Sequence, residues 1–225
     1  MRSHPLHPGQ LFLYSAVILF LFSLTSCGTP AEIRASIDGA NEHEGGASAL
    51  DNQWDLGYNV AACFFLAKPS SVKNSIDNGY ASEKADPIAF MGQIEFVQKG
   101  SKLEQTTTTL NYLNLAGDVL YQLPMADNGL LYGGLGPYIG YGLGGHAKSG
   151  GTKEPAFGSD GYKRLDAGLH ITAGYRLPIG LSLNLAYEYG LLNKSRFDDF
   201  TSRNRAFSFQ VGYSIQKIVD AFKKK

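Results

Sequence analysis

In several short stretches of this chain, charged, polar and small residues occupy one parity and apolar residues occupy the other. Carboxylates, guanidinium groups and an imidazole that share one face must be paired or hydrated if that face is enclosed. The candidate residues are Glu32, Arg34, Asp38, Asp55, Glu95, Asp118, Arg164, Asp166, His170, Arg176 and Glu188. Two interpretations stay open, a polar core that fills the enclosed space and a path for protons or ions. Strand register decides between them, because it determines which charges meet.

His170 lies on the same parity as Asp166, four residues earlier. In a strand this separation is about 13 Å at about 3.3 Å per residue, which is too long for a direct hydrogen bond. We therefore expect His170 to be a structural residue that bonds to another strand.

A second candidate group, His146, Ser149, Ser159 and Asp160, falls in one Gly-rich connection predicted to be extracellular. Histidine, serine and aspartate are residue types of acyl transfer. Loops are rich in Ser and Asp for local reasons, since these side chains bond to the nearby backbone. Without a geometric constellation the group predicts no catalytic site. We predict a non-enzymatic protein without a cofactor. The alternative is a lipid-modifying enzyme whose active site lies in this extracellular connection.

Strands must position these residues, because apolar and polar side chains alternate with a period of two. The predicted strands are Ala31–Ala40, Trp54–Ala67, Pro87–Lys99, Leu110–Leu123, Leu130–Leu143, the hairpin Asp166–Leu192 with its turn at Pro178–Gly180, and Asn204–Ile215. From the third connection onward, long and short connections alternate, as in membrane barrels. The long second connection, Lys68–Asp86, breaks this rule. The segment Gln216–Lys225 is predicted to be a solvated basic tail.

The volume of the apolar side chains indicates which face is outside. The apolar parity contributes about forty medium or large side chains, whereas an eight-stranded barrel encloses an interior that side chains just fill. The small and polar parity fits inside, so the apolar parity must face lipid. The sequence predicts an all-β, antiparallel eight-stranded transmembrane β-barrel, with Trp54, Tyr121 and Tyr175 at the membrane interfaces. A soluble lipid-carrying barrel is the alternative at the level of fold.

The N-terminal segment has the features of an export signal. Residues Leu11–Leu24 form a run of 14 mostly apolar residues, which is short for a spanning helix and typical of a signal-peptide core. Leu24-Thr25-Ser26-Cys27 resembles a bacterial lipobox, which predicts lipidation of Cys27. We therefore divide the 225 residues into a signal peptide, 1–27, and a single barrel domain, 28–225. The balance of 20 Lys and Arg against 20 Asp and Glu provides no global attraction for nucleic acid.

Five successive phrases resemble signatures of the PorT-like outer-membrane β-barrel family, which is abundant in Bacteroidota. They are "IEFVQKGSK", "LNYLNLAGDVLYQL", "GLGPYIGYGL", "LDAGLHITAGYRLPIGLSLNLAYEYGLLN" and "NRAFSFQVGY", within Glu32 to Ile215. The resemblance implies an eight-stranded barrel in the outer membrane of a Gram-negative bacterium, usually without an assigned activity, and it supplies no catalytic residue. We expect a local bulge at Pro137, which cannot donate to the ladder.

Together these patterns predict a monomeric barrel in outer-membrane lipid whose lumen is plugged by polar residues. The predicted lumen core is Arg34, Asp55, Glu95, Asp118, Arg164, Asp166, His170, Arg176 and Glu188. Its role is expected to be structural, or to depend on its loops as an interaction surface. Docking onto a secretion or envelope assembly is the alternative.

Overall fold

Strands make up most of the computed structural model, which describes residues 31–45, 53–66, 87–103, 106–125, 129–158, 161–196 and 201–223. The strands are β1 (Ala31–Gly45), β2 (Gln53–Leu66), β3 (Ile88–Leu103), β4 (Thr106–Pro124), β5 (Leu130–Ser149), β6 (Thr152–Pro155), β7 (Leu165–Arg176), β8 (Leu181–Gly190) and β9 (Thr201–Ser214); helix α1 follows at Ile215–Lys223. No helix among the described residues is long and apolar enough to cross a membrane. The predicted signal peptide and Cys27 lie outside the described residues.

Eight of these strands close into an antiparallel barrel. The order around the barrel is β1-β2-β3-β4-β5-β7-β8-β9, and β9 pairs with β1 to complete the ring. The short strand β6 forms a hairpin with the end of β5, through Gly150 and Gly151 at positive φ. The prediction of an eight-stranded antiparallel barrel is confirmed. We call the end that holds Ala31 and Ser214 the terminal end, and the opposite end the loop end.

The two faces of each strand differ as the alternation predicts. On β8, Leu185 is 46% exposed, whereas its neighbour Asn184 is 1% exposed and points into the lumen. The other barrel strands also present apolar side chains on the outside and bury most of their polar side chains, although Phe65, Met91 and Leu120 form an apolar cluster inside the barrel. Trp54 and Tyr121 lie on the outside near strand ends, as predicted for interfacial aromatic residues. A shift of register by one residue would exchange the two faces of a strand.

Strand lengths and irregularities depart from the sequence-based expectations. Strand β5 continues to Ser149, into the predicted fifth connection. The bulge expected at Pro137 is absent, because the pairing of β4 with β5 keeps one register on both sides of it. Gly136 and Pro137 have no paired residue on β4, and the register shift between these two strands lies between Asn111 and Tyr112. The connection 67–86 joins β2 to β3 at the terminal end and lies outside the described residues.

Candidate functional site

The lumen contains a dense set of charged and polar side chains. Seven of the nine predicted lumen residues are buried there, namely Arg34, Glu95, Asp118, Asp166, His170, Arg176 and Glu188. They belong to β1, β3, β4, β7 and β8, and inward parity on each strand delivers them to the same space. Buried charges are stable only when they are paired or hydrogen-bonded, so their partners define the site.

At the terminal end, two arginines bind one glutamate. Arg34 Nε donates to Glu32 Oε1 at 2.8 Å, and Arg176 Nη2 donates to Glu32 Oε2 at 2.8 Å. Arg34 Nη2 also donates to the Tyr132 hydroxyl at 3.0 Å. The terminal cluster consists of Glu32, Arg34, Tyr132, Arg176, Ser182, Asn184 and Gln210. Both oxygens of Glu32 are therefore used, which makes this carboxylate the hub of the cluster.

Aromatic rings complete the surroundings of the arginines. The Arg176 guanidinium lies 4.3 Å from the ring centroid of Phe65, and the Arg34 guanidinium lies 6.0 Å from that of Tyr132. Guanidinium groups stack on aromatic faces and are weakly hydrated, so they tolerate this enclosed position better than ammonium groups do. The aromatic rings therefore help to stabilise two guanidinium groups that share a single carboxylate.

Two glycines allow side chains to bond across an intervening strand. Ser182 on β8 donates to Glu32 on β1, although β9 lies between them at Gly212. A Cβ on Gly212 would clash with both partners. On the other side, Gly136 of β5 lies beside His170, and a Cβ there would clash with the backbone of Gly117 and Asp118, so the glycine permits the close approach of β4. The inward-facing glycines of the sequence thus make room for the lumen network.

The centre of the lumen holds the bond between His170 and Asp118. His170 Nδ1 and Asp118 Oδ2 are 2.8 Å apart, and the ring nitrogen donates because an ionised carboxylate only accepts. His170 therefore bonds to a residue of another strand, β4. Asp166 on its own strand is too far away for a direct hydrogen bond. Glu95 accepts a hydrogen bond from Gln93, two residues before it on the same strand.

Lysines replace arginines at the loop end. Lys99 Nζ lies 2.5 Å from Glu188 Oε2 and 3.4 Å from Asp166 Oδ2. Asp166 also accepts from Tyr138 at 3.1 Å and from Asn204 at 2.6 Å. The loop cluster consists of Glu42, Lys99, Asn114, Tyr138, Asp166, Glu188, Lys194 and Asn204. Its carboxylates outnumber its lysines, and neutral donors supply the remaining hydrogen bonds.

An aromatic pair covers the loop cluster. Phe157, from the connection between β6 and β7, packs edge-on against Tyr112 with ring centroids 5.7 Å apart. Phe157 occupies space that a side chain at Gly142 would need. Val97, Leu110 and Ala156 complete this small apolar cluster. The connection after β6 therefore folds back over the lumen instead of extending away from it.

Two predicted lumen residues lie elsewhere. Arg164 is exposed and donates to the Gly142 carbonyl at 2.6 Å. Its guanidinium lies 5.1 Å from the ring centroid of Phe157, so Arg164 packs against the aromatic pair from outside the lumen. It precedes β7, and strand parity does not apply before the strand begins. Asp55 pairs at 2.8 Å with Lys102, whose side chain is 50% exposed, so this ion pair is at the rim.

Several members of the network are not predicted from the sequence. Lys99 and Glu42 share the inward parity of their strands, and longer predicted strands would have included Glu42. Lys194 and Phe157 come from connections, for which alternation provides no signal. Among the described residues, no group of three His, Cys, Asp or Glu is arranged to hold a metal ion.

A closed antiparallel barrel with an apolar outer surface and a charged lumen defines an integral outer membrane β-barrel. The family model described as "Outer membrane protein beta-barrel domain" matches residues 45–214, and the chain belongs to this family. The protein is thus a component of the Gram-negative outer membrane, in contact with its lipid.

The chain is similar in fold to several solved structures of low sequence identity. Ail, the attachment invasion locus protein of Yersinia pestis, is 16% identical over 83% of this chain and 99% of that chain, with a TM-score of 0.41. The outer membrane protein OprG from Pseudomonas aeruginosa is 12% identical over 83% and 96%, with a TM-score of 0.41. The outer membrane enzyme PagL is 12% identical over 79% and 98%, with a TM-score of 0.45. No curated protein sequence matches the chain.

Proposed function

We propose that the protein is a non-enzymatic outer membrane barrel with a plugged lumen, which acts through the surfaces at its two ends. The observation that carries this proposal is a pair of side-chain bridges across the full width of the barrel. Arg34 on β1 bonds to Tyr132 on β5, and Lys99 on β3 pairs with Glu188 on β8. In each bridge the two strands are four positions apart in the ring of eight, which is the largest separation that the ring allows.

The bridges support a closed interior because they lie at different heights. Arg34 is near the start of β1 at the terminal end, whereas Lys99 is near the end of β3 at the loop end. Side chains that meet across the lumen at both levels leave little room for a continuous water path, as expected for a barrel of eight strands. The Phe157 and Tyr112 cap adds an apolar barrier at the loop end.

Conductance in planar bilayers tests the plug. We expect the purified barrel to form no large, stable channels of the porin type. The double variant Arg34→Ala and Lys99→Ala removes both bridges and should raise conductance, whereas Lys102→Ala at the rim should not. Heat-modifiable electrophoretic mobility verifies that each variant is folded. Porin-like channels from the folded wild-type barrel would contradict the proposal without any variant.

The geometry gives less support to an enzyme at the rim. His146 and Ser149 are three residues apart on β5, so they alternate to opposite faces of the sheet and their Cα atoms are about 10 Å apart. Ser159 and Asp160, the other candidates, lie outside the described residues. Loss of a lipid modification in cells that carry His146→Ala would favour the enzyme. Recovery of an envelope protein by crosslinking to the wild-type barrel would instead favour docking onto a secretion or envelope assembly.

We also propose that residues 1–27 are a signal peptide, that Cys27 is the lipidated N-terminus of the mature protein, and that the barrel is a monomer. The Leu-Thr-Ser-Cys sequence at the end of the apolar run supports lipidation. The five phrases of the sequence support a PorT-like relationship and an origin in Bacteroidota. Intact mass spectrometry tests the first point: a mature N-terminal Cys27 with a diacylglyceryl mass is expected, and an unmodified N-terminus beyond Cys27 would exclude it.

A further inference from the structure

Helix α1 leaves an apolar face uncovered at the terminal end of the barrel. The i, i+3, i+4, i+7 spacing places four apolar residues on one side: Ile215, Ile218, Val219 and Phe222. Ile218 is 37% exposed and Phe222 is 74% exposed. Lys217, on the opposite side, lies against the turn between β7 and β8, where its Cγ is 2.8 Å from the position of a Cβ on Gly180. The helix thus meets this turn through a polar residue.

The length of the helix requires that something cover this face. Helix α1 has nine residues, and isolated helices shorter than about 12–15 residues are marginal in water. Helices in proteins gain most of their stability by packing an amphipathic face. Ile218 and Phe222 remain exposed against the described residues, so the described part of the chain does not supply this contact.

The position of the helix favours lipid as that contact. The outer face of β9 presents Phe207, Phe209, Val211 and Tyr213 to lipid, and Ile215 continues the same parity into the first turn of α1. The apolar face of the helix therefore begins at the edge of the lipid-facing band. Four lysines, at 217, 223, 224 and 225, and one aspartate, at 220, give the segment a net positive charge. An amphipathic basic helix next to a bilayer is typical of interfacial binding.

We propose that α1 is an interfacial membrane helix that binds the phospholipid leaflet on the terminal side of the barrel. Ile218 and Phe222 insert among the upper acyl segments, and the net positive charge of the segment attracts anionic headgroups. The helix anchors the edge of the barrel where β9 meets β1. The segment predicted to be a solvated tail thereby becomes a second lipid contact, separate from the transmembrane band.

Depth-dependent fluorescence quenching tests the insertion. Trp54 is the sole tryptophan of the chain, so Trp54→Phe provides a dark background for Phe222→Trp and, as the matched control on the polar side, Asp220→Trp. The folded variants are placed in vesicles that contain phosphatidylglycerol. We expect brominated phospholipids to quench the residue-222 probe strongly and the residue-220 probe weakly, and acrylamide quenching to be at least about twofold lower at 222.

The competing occupants of the face give different results. Equal acrylamide quenching at both probes would show a solvated helix and overturn the proposal. Protection of the residue-222 probe from acrylamide and from brominated lipid alike would show a protein cover, such as a second copy, and also overturn it. Each variant must keep heat-modifiable mobility, so that a misfolded barrel is not mistaken for a solvated helix.

The role of the lysines needs a separate comparison. We expect Lys223→Gln, Lys224→Gln and Lys225→Gln together to reduce lipid quenching at residue 222 in vesicles with phosphatidylglycerol and to have little effect in purely zwitterionic vesicles. An equal reduction in both vesicle types would exclude recognition of anionic headgroups. Unchanged quenching in both would likewise exclude it, and would leave apolar insertion alone.

Discussion

At the terminal end of the lumen two arginines share one glutamate, whereas at the loop end two lysines face three carboxylates. The terminal cluster depends on a single hub, Glu32, and on aromatic rings beside its cations. The loop cluster distributes its bonds over several neutral donors, so no single partner is shared by all of its charges. Two clusters of similar burial should therefore respond very differently to the loss of one residue.

The largest expected effect is that of Glu32→Gln. This change leaves Arg34 and Arg176 buried without their carboxylate, and breaking a buried pair from one side costs about 3–5 kcal/mol. Urea unfolding of the refolded barrel, followed through Trp54 fluorescence, measures the loss. Adding Arg176→Met should recover part of the stability, because it removes one of the two unpaired cations. If Glu32→Gln lowers the free energy of unfolding by less than Lys99→Met does, Glu32 is not the hub of the terminal cluster.

Lys99→Met should cost less, about 2–3 kcal/mol of unfolding free energy, because the carboxylates that it leaves keep hydrogen bonds from neutral donors. Asp166 retains Tyr138 and Asn204, and Glu188 retains Asn114. The same urea unfolding series gives the value. If Asn204→Ala in the Lys99→Met background does not lower the free energy of unfolding further, the bonds of the loop cluster are not distributed over several donors.

Two tyrosines sharpen the comparison at the level of single hydroxyl groups. The Tyr132 hydroxyl accepts from Arg34 and donates to Asn184, whereas the Tyr138 hydroxyl only donates to Asp166. Tyr132→Phe should therefore cost about 2 kcal/mol and Tyr138→Phe about 1 kcal/mol, since a hydrogen bond to a charged group is worth about 1.5–3 kcal/mol and the remaining donors on Asp166 offset its loss. Equal costs in matched unfolding experiments would remove this distinction.

The smallest effect is expected for Lys102→Ala at the rim. Its partner is Asp55, and the Lys102 side chain is 50% exposed, so the ion pair is worth about 0–1 kcal/mol and should weaken with salt. Unfolding at low and high ionic strength measures both properties. A cost close to that of Lys99→Met would show that burial is not what separates the rim from the lumen.

Alternation in the sequence was sufficient to predict the eight barrel strands and the orientation of their faces. Leu185 outside and Asn184 inside follow from a period of two combined with an interior too small for the apolar set. Parity failed at Arg164, which precedes β7, and at Asp55, which lies near the start of β2, where the lumen opens to solvent. Alternation predicts the burial of a side chain only where that residue belongs to a strand and lies inside the enclosed part of the barrel.

The sequence by itself determined the number of barrel strands, their lipid-facing sides and the inward set of charges, because each of these depends on neighbours along one strand. Only the tertiary structure decided which charges meet. Arg34 and Tyr132 are 98 positions apart in the chain, and barrel closure and register bring them together across the lumen. The structure also placed Phe157 and Lys194 over the loop end and turned residues 215–223 into a helix with an exposed apolar face. The contacts of Phe157 and Lys194 join segments that share no local pattern, so no periodicity could predict them. The apolar spacing of residues 215–222 is local, but the exposure of this helix face depends on the fold.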